Sequence, residues 1–289
     1  MRYKRAYIEI TNRCNLSCGF CPSSSLGRTG RLMSTEEFKK VIDQVSQVTD
    51  YVYFHLLGEP LLHPRLAEFF EICEAAGLQV NLTTNGTLLP RAARLLSGAK
   101  ALRQVNVSLH AFEANEGLEL EGYFTGIFKA ADQIQAGHDV FIHYRLWNMD
   151  TEELKAKNGL NGQVFALLEE TFLLDFSLAD RLQEKGSIRL RSKTFLQMAE
   201  KFQWPSLGGP VISEEIFCHG LRDHFGVLAD GTVVPCCLDS EGGIPLGSIF
   251  EKPLAQILSG SRARGIYDGF SRRQAVEALC KTCGYASKL

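Results

Sequence analysis

Cys14, Cys18 and Cys21 form a C-x3-C-x2-C run, spaced closely enough for three thiolates to hold one metal centre. Four-iron clusters normally take four cysteine ligands, and the next cysteine, Cys73, lies far along the chain. A cluster held by these three alone keeps one iron open to bind and activate something. A zinc site prefers paired C-x2-C units and four ligands, so it fits this loop less well. A second set, Cys218, Cys236, Cys237, Cys280 and Cys283, gathers toward the other end of the chain and closes on its own C-x2-C. The nine cysteines are an odd number at tight spacings, in a chain long enough to build a core without staples. Metal ligation in a reducing compartment explains them better than disulfides.

Elements able to position these thiolates are legible on either side. The apolar run Ala6-Tyr7-Ile8-Glu9-Ile10 reads as a strand, which puts the first cysteines on the loop leaving its C-terminal end, where α/β proteins place their chemistry. Ser34-Thr35-Glu36-Glu37 matches a capping box and predicts a helix over about 35–48. Strands over 51–57, 78–83, 103–109 and 140–146 then alternate with helices after Pro64, from Pro90 to Leu96 and over about 122–136. Each of these three helices stops at a glycine. A long helix over 163–183 and a last strand over 187–191 bring the strand count to six. Repeated strand–helix–strand order implies right-handed parallel units. Residues 113–121 and 149–162 read as loops, and Cys73 falls on an apolar helical stripe as a core residue.

From about Lys193 the rhythm breaks at Trp204-Pro205 and Gly208-Gly209-Pro210, predicting a domain transition near residue 200. Beyond it, two short strands flank Ala229-Asp230-Gly231 as a hairpin, a helix begins at Pro253, and residues 274–279 continue a helical pattern.

The cysteine spacing with Phe20 just before its last member resembles the signature of the radical S-adenosylmethionine (SAM) enzymes. The resemblance implies a [4Fe-4S] cluster on Cys14, Cys18 and Cys21, SAM on the open iron, and a 5′-deoxyadenosyl radical that abstracts a substrate hydrogen. It also implies a partial (β/α)6 TIM-type barrel over residues 1–200, where strand count alone equally allows an open doubly wound sheet. Gly58-Glu59-Pro60 resembles the family's glycine–glutamate motif, whose carboxylate holds the SAM amine; an ordinary turn is the alternative. By the same resemblance Asn85, Ser108 and Arg145 contact SAM along with Phe20, Gly58 and Glu59. His55, His110 and His143 read first as structural histidines.

Residues 201–289 resemble a Twitch/SPASM-like iron–sulfur domain of β-hairpin plus helix, on the strength of Gly231-x4-Cys236, Leu246-Gly247-Ser248-Ile249 and the final C-x2-C. That match implies an auxiliary [4Fe-4S] cluster on Cys218, Cys236, Cys280 and Cys283, with Cys237 spare. A structural zinc on the same four thiolates is the competing reading. A fully ligated cluster would exchange one electron with a substrate radical, giving oxidation or crosslinking of a peptide or small molecule. Dehydrogenation of small alcohols is an alternative within the family, and a zinc-stabilised or electron-transfer binding protein is one outside enzymology.

An external one-electron donor such as flavodoxin or ferredoxin is expected, and a separate protein would supply peptide recognition. A formal net charge of −2 gives no basic field for nucleic acid, although Arg262, Arg264, Arg272 and Arg273 offer a local patch. With no signal peptide expected before Tyr7 and no apolar run near the roughly 18 residues of a membrane span, the expected address is cytoplasmic.

Overall fold

The computed structural model describes residues 2–25, 27–28, 30–114, 119–149, 159–182, 186–200 and 202–286. Its elements in chain order are β1 (Arg5–Ile8), α1 (Thr35–Val45), β2 (Tyr51–Phe54), α2 (Leu66–Ala75), β3 (Gln79–Thr84), α3 (Leu89–Gly98), β4 (Leu102–Ser108), α4 (Leu120–Gly137) and β5 (Phe141–Met149). Then follow α5 (Gly159–Thr171), α6 (Leu178–Leu182), β6 (Ser187–Arg191), β7 (Thr194–Glu200), β8 (His224–Val227), β9 (Thr232–Val234), β10 (Gly247–Ser248), α7 (Leu254–Leu258), α8 (Ser261–Ser271) and α9 (Ala278–Lys281). By contact the chain forms two units, Met1–Leu82 together with Phe202–Leu289, and Thr83–Lys201. The transition expected near residue 200 coincides with one edge of these units; the other edge falls within β3.

In the first unit, β1 is paired on both sides. It runs parallel to β2 through Ala6↔Val52 to Ile8↔Phe54, and parallel to β8 through Arg5↔His224 to Ile8↔Val227. The expected hairpin continues from β8: β9 pairs with it antiparallel, Gly231 adopts φ +86°, and Asp230 Oδ1 accepts the Thr232 N–H at 3.0 Å. A Cβ on Gly231 would also meet the Phe250 ring at 2.4 Å, so both the turn and the packing demand glycine there. The capping box of α1 is formed on both sides, Ser34 Oγ accepting from Glu37 N at 3.2 Å and the Glu37 carboxylate accepting from Ser34 N at 2.8 Å. Phe38, Val41, Ile42 and Val45 are all fully buried, and Phe38 stacks on Phe69 of α2 at 3.9 Å. Cys73 is fully buried on α2, and burial pushes its thiol well up, as suits a core residue.

In the second unit, β4 and β5 are parallel with Asn106↔His143 and Ser108↔Arg145 in register. The strand on the far side of β5 is β7, not the Ser187–Arg191 segment; β6 pairs antiparallel with β7. The sequence reading missed β7 because the connecting turn carries no Asn-Gly or Asp-Gly signature. Lys193 takes the positive φ of +57° instead. The helix expected over 163–183 is two helices. Leu173, at φ +49°, ends α5 with the Leu174 N–H donating back to Glu169 O, and Ser177 Oγ then accepts the Asp180 N–H at the start of α6. In the C-terminal segment α8 was not foreseen, and the stretch expected to be helical from Gln274 becomes so only at Ala278, since Gln274 bridges to Glu215. Residues 115–118 and 150–158 of the two expected loops lie outside the described residues, while Leu120 and Gly159 already begin helices.

One ion pair fastens the segment after the first cysteines to the C-terminal hairpin. Glu9, fully buried at the end of β1, receives Arg28 Nη1 at 2.8 Å and Nη2 at 2.9 Å, and its Oε1 also accepts the Ala229 N–H. Arg28 Nη2 reaches on to the Ser240 carbonyl at 2.6 Å. Removing one partner of such a pair strands the other charge away from water, so Glu9→Ala should lower unfolding stability by about 3–5 kcal/mol in denaturant titration.

Candidate active site and metal centres

The three-cysteine loop leaves β1 between two stretches that are tied together at its base. Met33 N donates to Ile10 O, Arg31 N to Asn12 Oδ1 at 2.6 Å, Thr11 Oγ1 to Arg31 O at 2.9 Å, and Arg13 N to Thr11 Oγ1 at 3.0 Å. Within the loop the Cys21 N–H donates to Cys18 O at 3.0 Å. Cys14 is exposed, Cys21 half-buried and Cys18 buried. Burial, and after it the neighbouring Cys21 and Cys14, pushes the Cys18 thiol up to about 11. Phe20 is 39% exposed beside them.

Gly58 packs against the root of this loop. Its φ is +78°, and a Cβ there would meet Thr11 O at 2.3 Å and Arg13 O at 2.9 Å. No other residue fits that approach. The next residue is held by the same root, Glu59 N donating to Arg13 O at 2.8 Å, and the Glu59 side chain is buried with Oε1 accepting the Leu61 N–H at 3.1 Å. The glycine–glutamate pair is thus fixed to the exit of β1 rather than forming a free surface turn.

In the second unit Asn85 uses its Oδ1 to accept from Thr87 N at 3.0 Å and Thr87 Oγ1 at 2.6 Å, the bonding of an Asx turn. Ser108 and Arg145 are cross-strand neighbours on one face of β4 and β5, and the Arg145 guanidinium lies 4.9 Å from the Trp147 ring. His110 Nδ1 accepts the Trp147 N–H at 3.3 Å beside the Arg145 carbonyl, so it holds the end of β5, as the structural reading expects. His143 packs its ring on Phe195 at 5.0 Å and is kept below the ordinary imidazole range chiefly by burial.

The C-terminal cysteines gather within the first unit. Cys236 is pushed well up by burial and then by Cys237, Cys218, Cys280 and Asp239; Cys280 likewise by burial and then Cys218 and Cys283. Backbone N–H groups already aim at two of these sulfurs, Gly220 N to Cys218 Sγ and Ala286 N to Cys283 Sγ, both at 3.4 Å. Thiols raised in this way ionise at neutral pH only against a metal centre. Among the described residues no three His, Cys, Asp or Glu side chains converge as they would around a single ion. The donor sets consist of thiols alone, three in the loop after β1 and four in the C-terminal segment, and iron–sulfur clusters are held by cysteine thiolates.

Comparison with known proteins agrees. Residues 8–128 match the model of the radical SAM superfamily, and residues 218–284 match that of the SPASM iron–sulfur cluster-binding domain. Residues 8–128 thus carry a radical SAM domain, and residues 218–284 a SPASM-type iron–sulfur domain. The cofactors that go with these two domains are SAM, a SAM-binding [4Fe-4S] cluster and an auxiliary iron–sulfur cluster. A GTP 3′,8-cyclase of Desulforamulus reducens is 29% identical over 76% of this chain and 63% of its own. The chain thus spans less than two thirds of that relative, and about a third or less of two others among the first matches. Among solved structures, BtrN in complex with AdoMet and 2-DOIA is 17% identical, covers 98% of this chain and 94% of its own, and has a TM-score of 0.55. Streptococcus suis SuiB bound to precursor peptide SuiA is 14% identical over 98% of this chain and 70% of its own, with a TM-score of 0.59. These likenesses show the fold, the α/β partial barrel of this superfamily. Among the described residues no helix is long and apolar enough to cross a membrane.

The sequence reading missed the Glu9–Arg28 pair and the neighbours of the second cysteine set, Asp239 and Tyr7. Arg5, Tyr7 and Glu9 alternate with apolar Ala6, Ile8 and Ile10, and that period of two is the signal that marks their shared face.

Two outcomes follow. Gly58→Ala should empty the N-terminal centre while leaving the auxiliary one filled, so that reconstituted iron falls to about half by metal analysis. His224 is held down to about 4, first by burial and then by Arg5, against the 6.5 of a free imidazole. The unfolded chain therefore binds the extra proton between those values, and stability should fall as pH drops from about 6.5 to about 4. His224→Gln should flatten that slope in pH-dependent urea titrations.

Proposed function

We propose that the chain is a radical SAM oxidoreductase or maturase that oxidises or crosslinks a peptide or small molecule, with residues 1–200 as the barrel domain and 201–289 as the auxiliary-cluster domain. The observation that carries this is the contrast between the two cysteine sets: three thiols in the loop after β1, one short of a full cluster, and a full complement of four, Cys218, Cys236, Cys280 and Cys283, in the C-terminal segment. When bound, the cofactors supply a 5′-deoxyadenosyl radical for hydrogen abstraction at the first centre and a one-electron acceptor at the second.

The chain's own residues then do the following. Cys14, Cys18 and Cys21 hold the open centre, and Cys218, Cys236, Cys280 and Cys283 the closed one. Glu59, buried and anchored through its backbone to Arg13, is placed to accept charge-assisted hydrogen bonds from an ammonium group. Gly58 lets the backbone approach the loop root. The family resemblance assigns SAM contacts to Phe20 in the first unit and to Asn85, Ser108 and Arg145 in the second, where the Arg145 guanidinium would meet a carboxylate. An external flavodoxin- or ferredoxin-type donor delivers the electron, and a separate recognition protein presents a peptide where the substrate is one.

The likeness to SuiB supports the peptide reading. A small-alcohol dehydrogenase is the second reading, and the likeness to BtrN, solved with AdoMet and 2-DOIA and covered over 94% of its length against 70% for SuiB, supports a small-molecule substrate. Anaerobically reconstituted protein should hold about eight irons, two four-iron clusters, and should release 5′-deoxyadenosine from SAM under dithionite. Replacing Cys14, Cys18 and Cys21 by Ala should abolish that release and leave about half the iron. A colourless protein inert toward SAM would reject the reading. Deuterium carried into 5′-deoxyadenosine from a labelled peptide, or from a labelled alcohol, separates the two substrates.

A further inference from the structure

Two arginines beyond the three cysteines reach across to the C-terminal segment, and they end on different parts of it. Arg31 Nε donates to the Ala229 carbonyl at 2.9 Å, while Glu9 Oε1 accepts the Ala229 N–H at 3.2 Å, so both of these meet the turn between β8 and β9. Arg28 goes further. Its Nη1 and Nη2 hold Glu9 Oε1 and Oε2 at 2.8 and 2.9 Å, and Nη2 also donates to the Ser240 carbonyl at 2.6 Å. Glu9 precedes Cys14 and Arg28 follows Cys21, so the pair joins the two ends of the loop that carries the three thiols.

Ser240 lies in a loop that begins at Cys236. Asp239 N donates to Cys236 O and Gly242 N to Asp239 O, both at 3.4 Å, and the Asp239 carboxylate accepts from Gly243 N at 2.7 Å and Ile244 N at 2.9 Å. Asp239 and Ser240 are both buried. The Ser240 carbonyl therefore cannot shift without disturbing the turn that Cys236 opens. On the other side, a loop that carries cluster ligands is more ordered with its cluster than without it, because binding and folding of such a site are one event. Order in the cysteine loop fixes Arg28, and a fixed guanidinium presents three charge-assisted hydrogen bonds at once.

We propose that Arg28 couples the two centres: it makes closure of the three-cysteine loop and order in the 236–244 loop one cooperative event, so that a filled first centre holds the segment bearing Cys236 more firmly. By linkage, a filled auxiliary centre favours the closed cysteine loop. Arg28 is a positioning residue that binds neither iron nor substrate. The proposal rests on the assignment of three thiols to the first centre and four to the second.

The test compares the full chain, reconstituted anaerobically, with the same chain carrying Ala at Cys14, Cys18 and Cys21, whose first centre is empty. Hydrogen exchange of the peptide over residues 236–244 is read by mass spectrometry, since exchange reports local opening of the segment itself. Emptying the first centre should speed that exchange at least about fivefold, the low end of ordinary coupling between sites. With Arg28→Met in both chains the ratio should fall to about one, as a double-mutant cycle requires of the residue that carries the coupling. A merely structural loss would speed exchange equally in both chains and leave the ratio unchanged, and that result would overturn the proposal. Should Arg28→Met fail to fold because it strands the Glu9 charge, Glu9→Gln with Arg28→Met leaves no unpaired charge and decides by the same ratio. If Arg31→Leu, with Arg28 in place, erases the ratio, the link runs through the hairpin turn and the assignment to Arg28 is wrong. Iron content separates failure of the underlying reading: a chain that holds about four irons, and loses none when Cys218, Cys236, Cys280 and Cys283 are all replaced by Ala, overturns the ligand assignment and the coupling with it.

Discussion

Strand β1 has a parallel partner on each edge, β2 on one side and β8 on the other, and the chemistry of the first unit depends on that double pairing. A strand so placed has its backbone groups satisfied from both sides and cannot shift register without breaking two ladders at once. Its C-terminal end therefore gives the three-cysteine loop a rigid origin. The same pairing brings the β8–β9 hairpin, and Cys236 just beyond it, alongside a strand more than two hundred residues earlier in the chain. Two cysteine sets remote in sequence thus share one structural reference.

The alternation of β1 divides its work. Ala6, Ile8 and Ile10 are buried among apolar neighbours and supply the hydrophobic anchoring. Arg5, Tyr7 and Glu9 face the other way and carry the polar functions. Glu9 holds Arg28 and the Ala229 amide, tying the segment after the cysteine loop to the C-terminal hairpin. Tyr7 belongs to the buried group on which Cys237 packs. Glu9 sits without solvent exposure because its charge is met bidentately and its Oε1 is also bonded to a backbone N–H. A lone carboxylate could not occupy that place.

The parts of this arrangement that local chemistry determines were legible in the sequence. The C-x3-C-x2-C run, the capping box at Ser34, the Asp230-Gly231 hairpin and the glycine–glutamate pair each depend on residues a few positions apart, and each appears where the residues predict it. What was not legible depends on long-range partners or on residues acting outside their usual preferences. Lys193 and Leu173 adopt positive φ without being glycine, so β7 and the break between α5 and α6 carry no local signal. The pairing of β1 with β8 joins segments whose only sequence trace is that both are short and β-branched or aromatic. Cys237 reads as surplus by spacing alone; only its contact with Tyr7, 230 positions earlier, gives it a place.

The surroundings of the auxiliary thiols differ from one to the next, and this bears on where charge settles. Cys218 and Cys283 accept backbone N–H bonds, which favour negative sulfur. Cys280 has Glu277 and Asp239 among its neighbours, and Cys236 has Asp239, all of which disfavour it. Asp239 is itself held in place by the Gly243 and Ile244 amides at 2.7 and 2.9 Å, so its charge cannot swing away. Backbone donors thus favour negative charge at Cys218 and Cys283, while the fixed Asp239 carboxylate opposes it at Cys236 and Cys280.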